Sequence, residues 1–249
     1  MNLAFNNIAS WLALPVYALQ GTYVRNTTPR MDPAVCPRGG TLGSMQAAHP
    51  GRGEEIRLLV IGDSSAGGVG VESMDDSLGA HLASLLNERT GRPVSVFAMG
   101  FNSAVAAELR DEVVGNLEHR DWTHVLVSVG INDVKNFHSL RRWTKGFGRL
   151  IFALRARFPG ARIIWPEVLA VRDMPRLPSP LRDIMEWRAQ LLNARGRCLC
   201  QERGAYYLPR MLKGGPQCYA LDGFHANSYG YRILAGHMVD EMLKQTDLV

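Results

Sequence analysis

The sequence predicts an α/β fold in three layers, a parallel sheet covered by helices on both faces. Two observations carry this expectation. Short apolar runs rich in β-branched residues recur from Arg57 onward, each too brief for a helix. Between them lie longer stretches whose apolar residues repeat at helical spacing, and such alternation is the pattern of a parallel sheet.

The first run is Leu58-Leu59-Val60-Ile61, which reads as a strand buried on both faces. It ends at Gly62, and Asp63, Ser64 and a run of small residues up to Gly70 follow. That composition lets the backbone turn sharply and hold a hydroxyl at the carboxyl end of a strand, where open α/β sheets place their sites. Further strands are expected near 94–98, 124–129, 162–168 and 205–208. Helices are expected over 75–90, 103–119, 139–158, 181–202 and 227–245. There is no internal repeat or low-complexity tract.

Gly62-Asp63-Ser64 carries little weight alone, but two later motifs stand in order with it. Gly130-Ile131-Asn132-Asp133 follows the run beginning at His124, and Asp222-Gly223-Phe224-His225 lies near the carboxyl terminus. Together the three motifs resemble the SGNH/GDSL hydrolase family over roughly residues 57–242. The resemblance implies five parallel strands in the flavodoxin-like order 2-1-3-4-5. It maps the family's Ser, Gly, Asn and His onto Ser64, Gly100, Asn132 and His225, with Asp222 as the acid of the triad. Two departures accompany it. The first motif continues as Asp-Ser-Ser, so Ser65 offers a neighbouring hydroxyl. The second is degenerate, and Gly100 in AMGFNSA is recommended only by its position.

Acyl transfer gives these residue types their meaning. A serine hydroxyl becomes a useful nucleophile when a base takes its proton, so Ser64 needs an imidazole, and His225 is the candidate. Asp222, three residues earlier, can accept the other ring N–H and fix the tautomer. The resemblance implies an oxyanion hole formed by the backbone N–H groups of Ser64 and Gly100 and the side-chain amide of Asn132. Asp63 and Asp133 are read as loop-structuring residues. No metal or organic cofactor is expected. The four cysteines, Cys36, Cys198, Cys200 and Cys218, match no common zinc spacing. They also give no disulfide framework, which favours a reducing, cytoplasmic setting, with membrane association and export left open.

The chain of 249 residues divides into an amino-terminal apolar segment and linker packed on the domain (1–55) and the hydrolase domain (56–249). Residues 8–19, IASWLALPVYAL, are too short to span a bilayer, and no Lys or Arg precedes them. The readings are a packed or membrane-touching amphipathic helix, a signal peptide, or an anchor. Residues 25–55 are rich in Pro, Gly and Thr and read as a linker.

Charge is unevenly spread. Residues 1–124 hold nine basic and thirteen acidic side chains, and the remainder hold nineteen and ten. No acid lies between Asp133 and Glu167, while Lys135, Arg141, Arg142, Lys145 and Arg149 are among the bases there. The helix over 139–158 thus has an apolar face and a cationic one. The cationic face is either a solvated exterior or a peripheral contact with anionic membrane. No nucleic-acid motif accompanies the charge. The proline-rich 171–180 loop either walls the acyl pocket or caps the following helix.

The function expected is a serine esterase acting on short-chain carboxylic esters, small-molecule substrates, through an acyl-enzyme on Ser64. The alternatives are a lysophospholipase or a carbohydrate deacetylase using the same residues, and a non-catalytic membrane-associated binding module. The intact set Ser64, Asn132, Asp222 and His225 argues against the last.

Overall fold

The computed structural model describes residues 3–37, 41–211 and 214–245. Its centre is a sheet whose second strand, β2 (Ile56–Gly62), alternates sides as its period of two requires. Leu59 and Ile61 join one hydrophobic cluster, and Ile56, Leu58 and Val60 join the other; all five are at most 1% exposed. β3 (Val94–Gly100) and β4 (His124–Ser128) flank β2, then come β5 (Arg162–Pro166) and β6 (Tyr206–Leu208).

The expected five-stranded parallel sheet needs correction. The sheet is mixed and six-stranded, in the order β1-β3-β2-β4-β5-β6. Its extra strand, β1 (Ser44–His49), pairs antiparallel with β3 and comes from the stretch read as linker. Ser-Met-Gln-Ala-Ala-His has little β-branched content, so its pairing is imposed by the edge that β3 presents rather than by local propensity. The other five strands run parallel.

One face of the sheet is covered by α3 (Leu78–Thr90) and α8 (Ser228–Lys244), which supply Leu82, Leu86, Leu234 and Met238. The other is covered by α6 (Leu140–Arg157) and α7 (Leu181–Glu202). There Trp143 stacks on Phe147 with centroids 4.5 Å apart, and Phe147 meets Trp165 at 4.8 Å. α6 buries the expected apolar row and leaves Arg141, Arg142, Lys145, Arg149 and Arg155 exposed.

The helix expected over 103–119 is broken. It becomes α4 (Ala106–Glu108), a π-helical turn over Leu109–Val113 and a 3-10 turn over Val114–Asn116, ahead of α5 (Ile131–Lys135) in chain order. α4 starts where Asp133 Oδ2 accepts the Ala106 N–H at 3.1 Å, a tertiary contact invisible to helical periodicity.

The amino terminus forms two helices, α1 (Leu3–Leu12) and α2 (Leu14–Thr27), with Pro15 in the first turn of α2, where a missing N–H costs nothing. Both are tied to α7. Asn6 Nδ2 donates to Gln190 Oε1 at 2.9 Å, and the Leu181 N–H donates to Gln20 Oε1 at 2.8 Å. The fully buried Arg188 of α7 lies over the rings of Trp11 and Phe137, 5.4 and 4.6 Å from their centroids, and donates to the His138 carbonyl. Ile8, Leu12, Leu19 and Tyr23 on the outer side are each more than 60% exposed, whereas Phe5 turns its ring edge to Trp187 of α7. Among the described residues, no helix is long and apolar enough to cross a membrane.

Candidate active site

Ser64 stands in the first turn beyond β2. The Ala66 and Gly67 N–H groups donate to the Asp63 carbonyl, and Val69 N–H donates to the Ser64 carbonyl at 3.0 Å, so the chain curls tightly around the serine. Gly70 then passes against the loop that carries His225. Its φ is +108°, and a Cβ there would lie 2.1 Å from the Ala226 carbonyl oxygen, so only glycine permits the approach. From the other side, the Tyr231 hydroxyl of α8 donates to the Val69 carbonyl at 2.6 Å.

The approach brings the expected residues together. The Ser64 hydroxyl lies 3.1 Å from His225 Nε2, and His225 Nδ1–H donates to Asp222 Oδ2 at 2.5 Å. Asp222 Oδ1 accepts the N–H groups of Phe224 and His225 at 2.9 and 3.0 Å, locking the turn. Burial alone would raise the Asp222 pKa, but the bonds from the His225 ring and these two N–H groups outweigh it and hold the carboxyl below its ordinary value. With Asp222 ionised, Nδ1 keeps its proton and Nε2 is left as an acceptor facing Ser64. Ser65 does not line the cavity, and its N–H donates to Asp63 Oδ1 at 3.0 Å.

Asp63 is fully buried, and burial pushes its pKa up to about 6 against the opposing Ser65 N–H, His225 and Lys135. Asn132, in the first turn of α5, donates from Nδ2 to the Ala104 carbonyl at 3.1 Å and approaches Asp63 Oδ2 at 3.5 Å. Its neighbour Asp133 accepts from Ala106 N–H and bonds His138 Nδ1 at 2.8 Å. α5 is thereby stapled twice to the loop after β3.

Gly100 requires a correction. Its N–H donates to the Gly43 carbonyl at 3.1 Å, and it does not line the cavity beside Ser64. A Cβ there would lie 2.0 Å from the Gly67 nitrogen, so this glycine serves close packing of β3 against the Ser64 turn. Ser103, three residues on, does line the cavity, and its φ is +65°. Among the described residues, neither the Ser103 N–H nor the Ser64 N–H has a protein acceptor. Sequence reasoning missed Ser103 because a serine carries no signature of the left-handed conformation, which a glycine would have advertised.

The cavity in front of Ser64 has a volume of about 770 Å³. α2 forms one wall through Tyr17, Gly21 and Val24, and Leu177, Leu181 and Met185 lie on the side of the proline-rich loop. That loop lines the cavity through Arg176 and Leu177 and also leads directly into α7. The arrangement can move a proton from a hydroxyl to an imidazole beside donors that await negative charge.

The profile of the GDSL-like lipase/acylhydrolase family matches residues 60–233. The chain belongs to that family. It is a carboxylic ester hydrolase of the GDSL type, and a triad and an oxyanion hole are typical of its relatives. No curated protein matches the chain. Among solved structures it is similar to a family 3 carbohydrate esterase from Clostridium thermocellum, at 16% identity and a TM-score of 0.62, covering 79% of this chain and 100% of that one. A psychrotrophic esterase from Pseudoalteromonas sp. aligns at 16% identity and 0.60, covering 77% and 99%. An acetyl xylan esterase from Geobacillus stearothermophilus aligns at 18% and 0.55, covering 77% and 95%. At these identities the likeness is one of fold.

Proposed function

We propose that this GDSL-type hydrolase cleaves short-chain carboxylic esters through an acyl-enzyme on Ser64. The observation that carries the reading is the relay of Ser64 Oγ, His225 and Asp222, at 3.1 and 2.5 Å. Ser64 Oγ attacks the ester carbonyl carbon while its proton passes to His225 Nε2. The imidazolium is stabilised by Asp222. The carbonyl oxygen becomes an oxyanion, met by the Ser64 and Ser103 N–H groups and by the Asn132 amide hydrogen that otherwise makes only the long 3.5 Å contact to Asp63 Oδ2. Collapse breaks the bond to the alcohol oxygen, which receives the proton from His225. Water then attacks the acyl carbonyl, again giving a proton to His225, and the acid leaves as Ser64 Oγ is reprotonated. No step requires a cofactor.

A short acyl group suits the lining. Leu177, Leu181, Met185, Met31 and Val24 supply apolar surface, and Thr22, Thr28, Asn102, Asn136 and the cations of α2 and α5 interrupt it, so no long unbroken apolar channel leads away from Ser64. Each buried methylene gains about 0.8 kcal/mol only where apolar surface receives it. The experiment is kcat/KM across an ester panel crossing acyl length with leaving group, kept below micelle concentrations. A maximum between acetyl and hexanoyl is expected, and a maximum at dodecanoyl or longer overturns the short-chain reading.

A lysophospholipase is the second reading, favoured by the exposed apolar row on α1 and α2. Deacetylation of carbohydrate esters, which the names of two structural neighbours suggest, would use the same residues on a different leaving group.

A further inference from the structure

Four cationic side chains line the cavity around Ser64, namely Arg25, Arg30, Lys135 and Arg176. Only two acids join them there. Asp222 is already engaged by His225, which leaves Asp32. Arg176 is satisfied by hydroxyls, donating to Thr28 Oγ1 at 2.9 Å and Thr27 Oγ1 at 2.6 Å. Among the described residues, Arg25, Arg30 and Lys135 form no ion pair with a carboxylate; the buried Asp63 carboxyl acts on Lys135 from a distance and Asp32 shares the lining, which leaves positive charge in excess beside the nucleophile.

The placement of two of these cations is specific. Lys135 follows Asn132 by three residues on α5, which puts both on one face of the helix, and both line the cavity. Arg25 comes from α2, four residues after Gly21, on the face that walls the same cavity. The Tyr17 hydroxyl donates to the Lys135 carbonyl at 2.6 Å, which fixes the spacing of the two helices. Burial lowers the Lys135 pKa, the Asp63 carboxyl works in the opposite direction, and the Arg25 guanidinium lowers it again. Like charges that feel one another across a cavity are relieved by an anion placed between them. Guanidinium and ammonium groups both suit carboxylate and phosphate oxygens.

We propose that the ester hydrolysed here carries an anionic group, a carboxylate or a phosphate, that lies between Arg25 of α2 and Lys135 of α5 while its carbonyl carbon is at Ser64. This rests on the esterase reading above and narrows its substrate class. Neutral lipids and neutral acetylated sugars lack the group. A monoester of a dicarboxylic acid, or an acyl ester of a phosphorylated or acidic alcohol, has it.

The test uses the full chain and two matched pairs. p-Nitrophenyl hydrogen glutarate against p-nitrophenyl pentanoate places the anion on the acyl side. p-Acetoxybenzoate against p-acetoxybenzamide places it on the alcohol side, each rate being normalised to alkaline hydrolysis. In at least one pair kcat/KM should favour the anionic member by about tenfold, a modest factor because Arg25 and Lys135 remain partly solvated. It should shrink as ionic strength rises from about 0.05 to about 0.5 M, and Arg25→Gln and Lys135→Gln should each reduce it. Preference for the neutral member in both pairs, or a preference that survives both substitutions, overturns the proposal. A separate arm titrates Ser64→Ala calorimetrically with p-nitrophenyl hydrogen glutarate, p-acetoxybenzoate and inorganic phosphate, where Arg25→Gln or Lys135→Gln should weaken binding of at least one probe. Turnover of neutral esters with no anion preference or binding would leave the esterase reading standing without the anion site. Anion binding that Arg25→Gln and Lys135→Gln abolish, in a chain that hydrolyses no ester, would do the reverse.

Discussion

The Tyr17 hydroxyl donates to the Lys135 carbonyl across 2.6 Å, joining the second helix of the chain to the helix that carries Asn132. Burial pushes the Tyr17 pKa up to about 12, against the influence of Arg188, so the donor survives into alkaline solution. Tyr17→Phe removes one hydrogen bond, about 1 kcal/mol, and loosens α2 as a wall. KM should rise severalfold with little change in kcat, read by steady-state kinetics on p-nitrophenyl acetate. A loss confined to kcat would instead tie Tyr17 to the chemical step.

The nucleophile is tested by its neighbour. Ser64→Ala should abolish turnover, whereas Ser65→Ala should retain substantial activity, because Ser65 serves Asp63 through its backbone. Mapping a fluorophosphonate adduct by mass spectrometry gives the direct answer. An adduct on Ser65 would refute the assignment.

The oxyanion donors separate into two kinds. Asn132→Ala should cost about 2.7–4 kcal/mol of transition-state stabilisation, mostly in kcat. Ser103→Gly keeps the N–H and relieves a non-glycine residue at φ +65°, so activity should persist and Tm should rise. Gly100→Ala should act through stability, since its Cβ has no room beside Gly67. A Gly100→Ala enzyme with unchanged Tm and a kcat lowered a hundredfold would restore Gly100 as a donor.

Much of this was legible because the relevant signals are local. β2 is built on the unbroken apolar run Leu58-Leu59-Val60-Ile61, the Asp222-to-His225 turn closes over three residues, and α7 falls where periodicity places it, Leu181–Glu202. What escaped depends on partners distant in sequence. β1 exists because β3 has a free edge, and α4 begins at a carboxylate from α5. The wall formed by α2 depends on Arg188 of α7 holding Trp11 and Phe137, and no pattern within residues 1–32 announces that arrangement. Gly100 misled because a glycine after a strand reads as a site glycine whether it faces a ligand or a neighbouring turn.

Asp63 should leave a mark on stability against pH. Its pKa is pushed up to about 6 by burial, whereas an unfolded aspartate titrates near 3.9. The folded state therefore binds the proton more tightly. The associated stability is fully present below the unfolded value and is lost as pH rises through about 6. Asp63→Asn removes the titration while keeping an oxygen for the Ser65 N–H. The Tm of Asp63→Asn relative to the parent should increase from pH 4 to pH 7 by thermal melts. A flat difference would show that Asp63 titrates normally.

The outer side of α1 and α2 presents Ile8, Leu12, Leu19 and Tyr23 to solvent, and α6, which packs on the same helix α7, exposes five cations. An apolar row and a basic face in one layer match the chemistry of an anionic bilayer, where apolar insertion and charge attraction act together. The expected behaviour is flotation with anionic vesicles, weakened by salt over the range in which the Debye length shortens. Leu12→Asp with Leu19→Asp should abolish it while leaving the fold intact, because both side chains are at least 75% exposed and support no core contact. Equal binding to neutral and anionic vesicles would remove α6 from the account. Failure to float, with concentration-dependent sedimentation lost in the double variant, would assign the apolar row to a second copy of the chain.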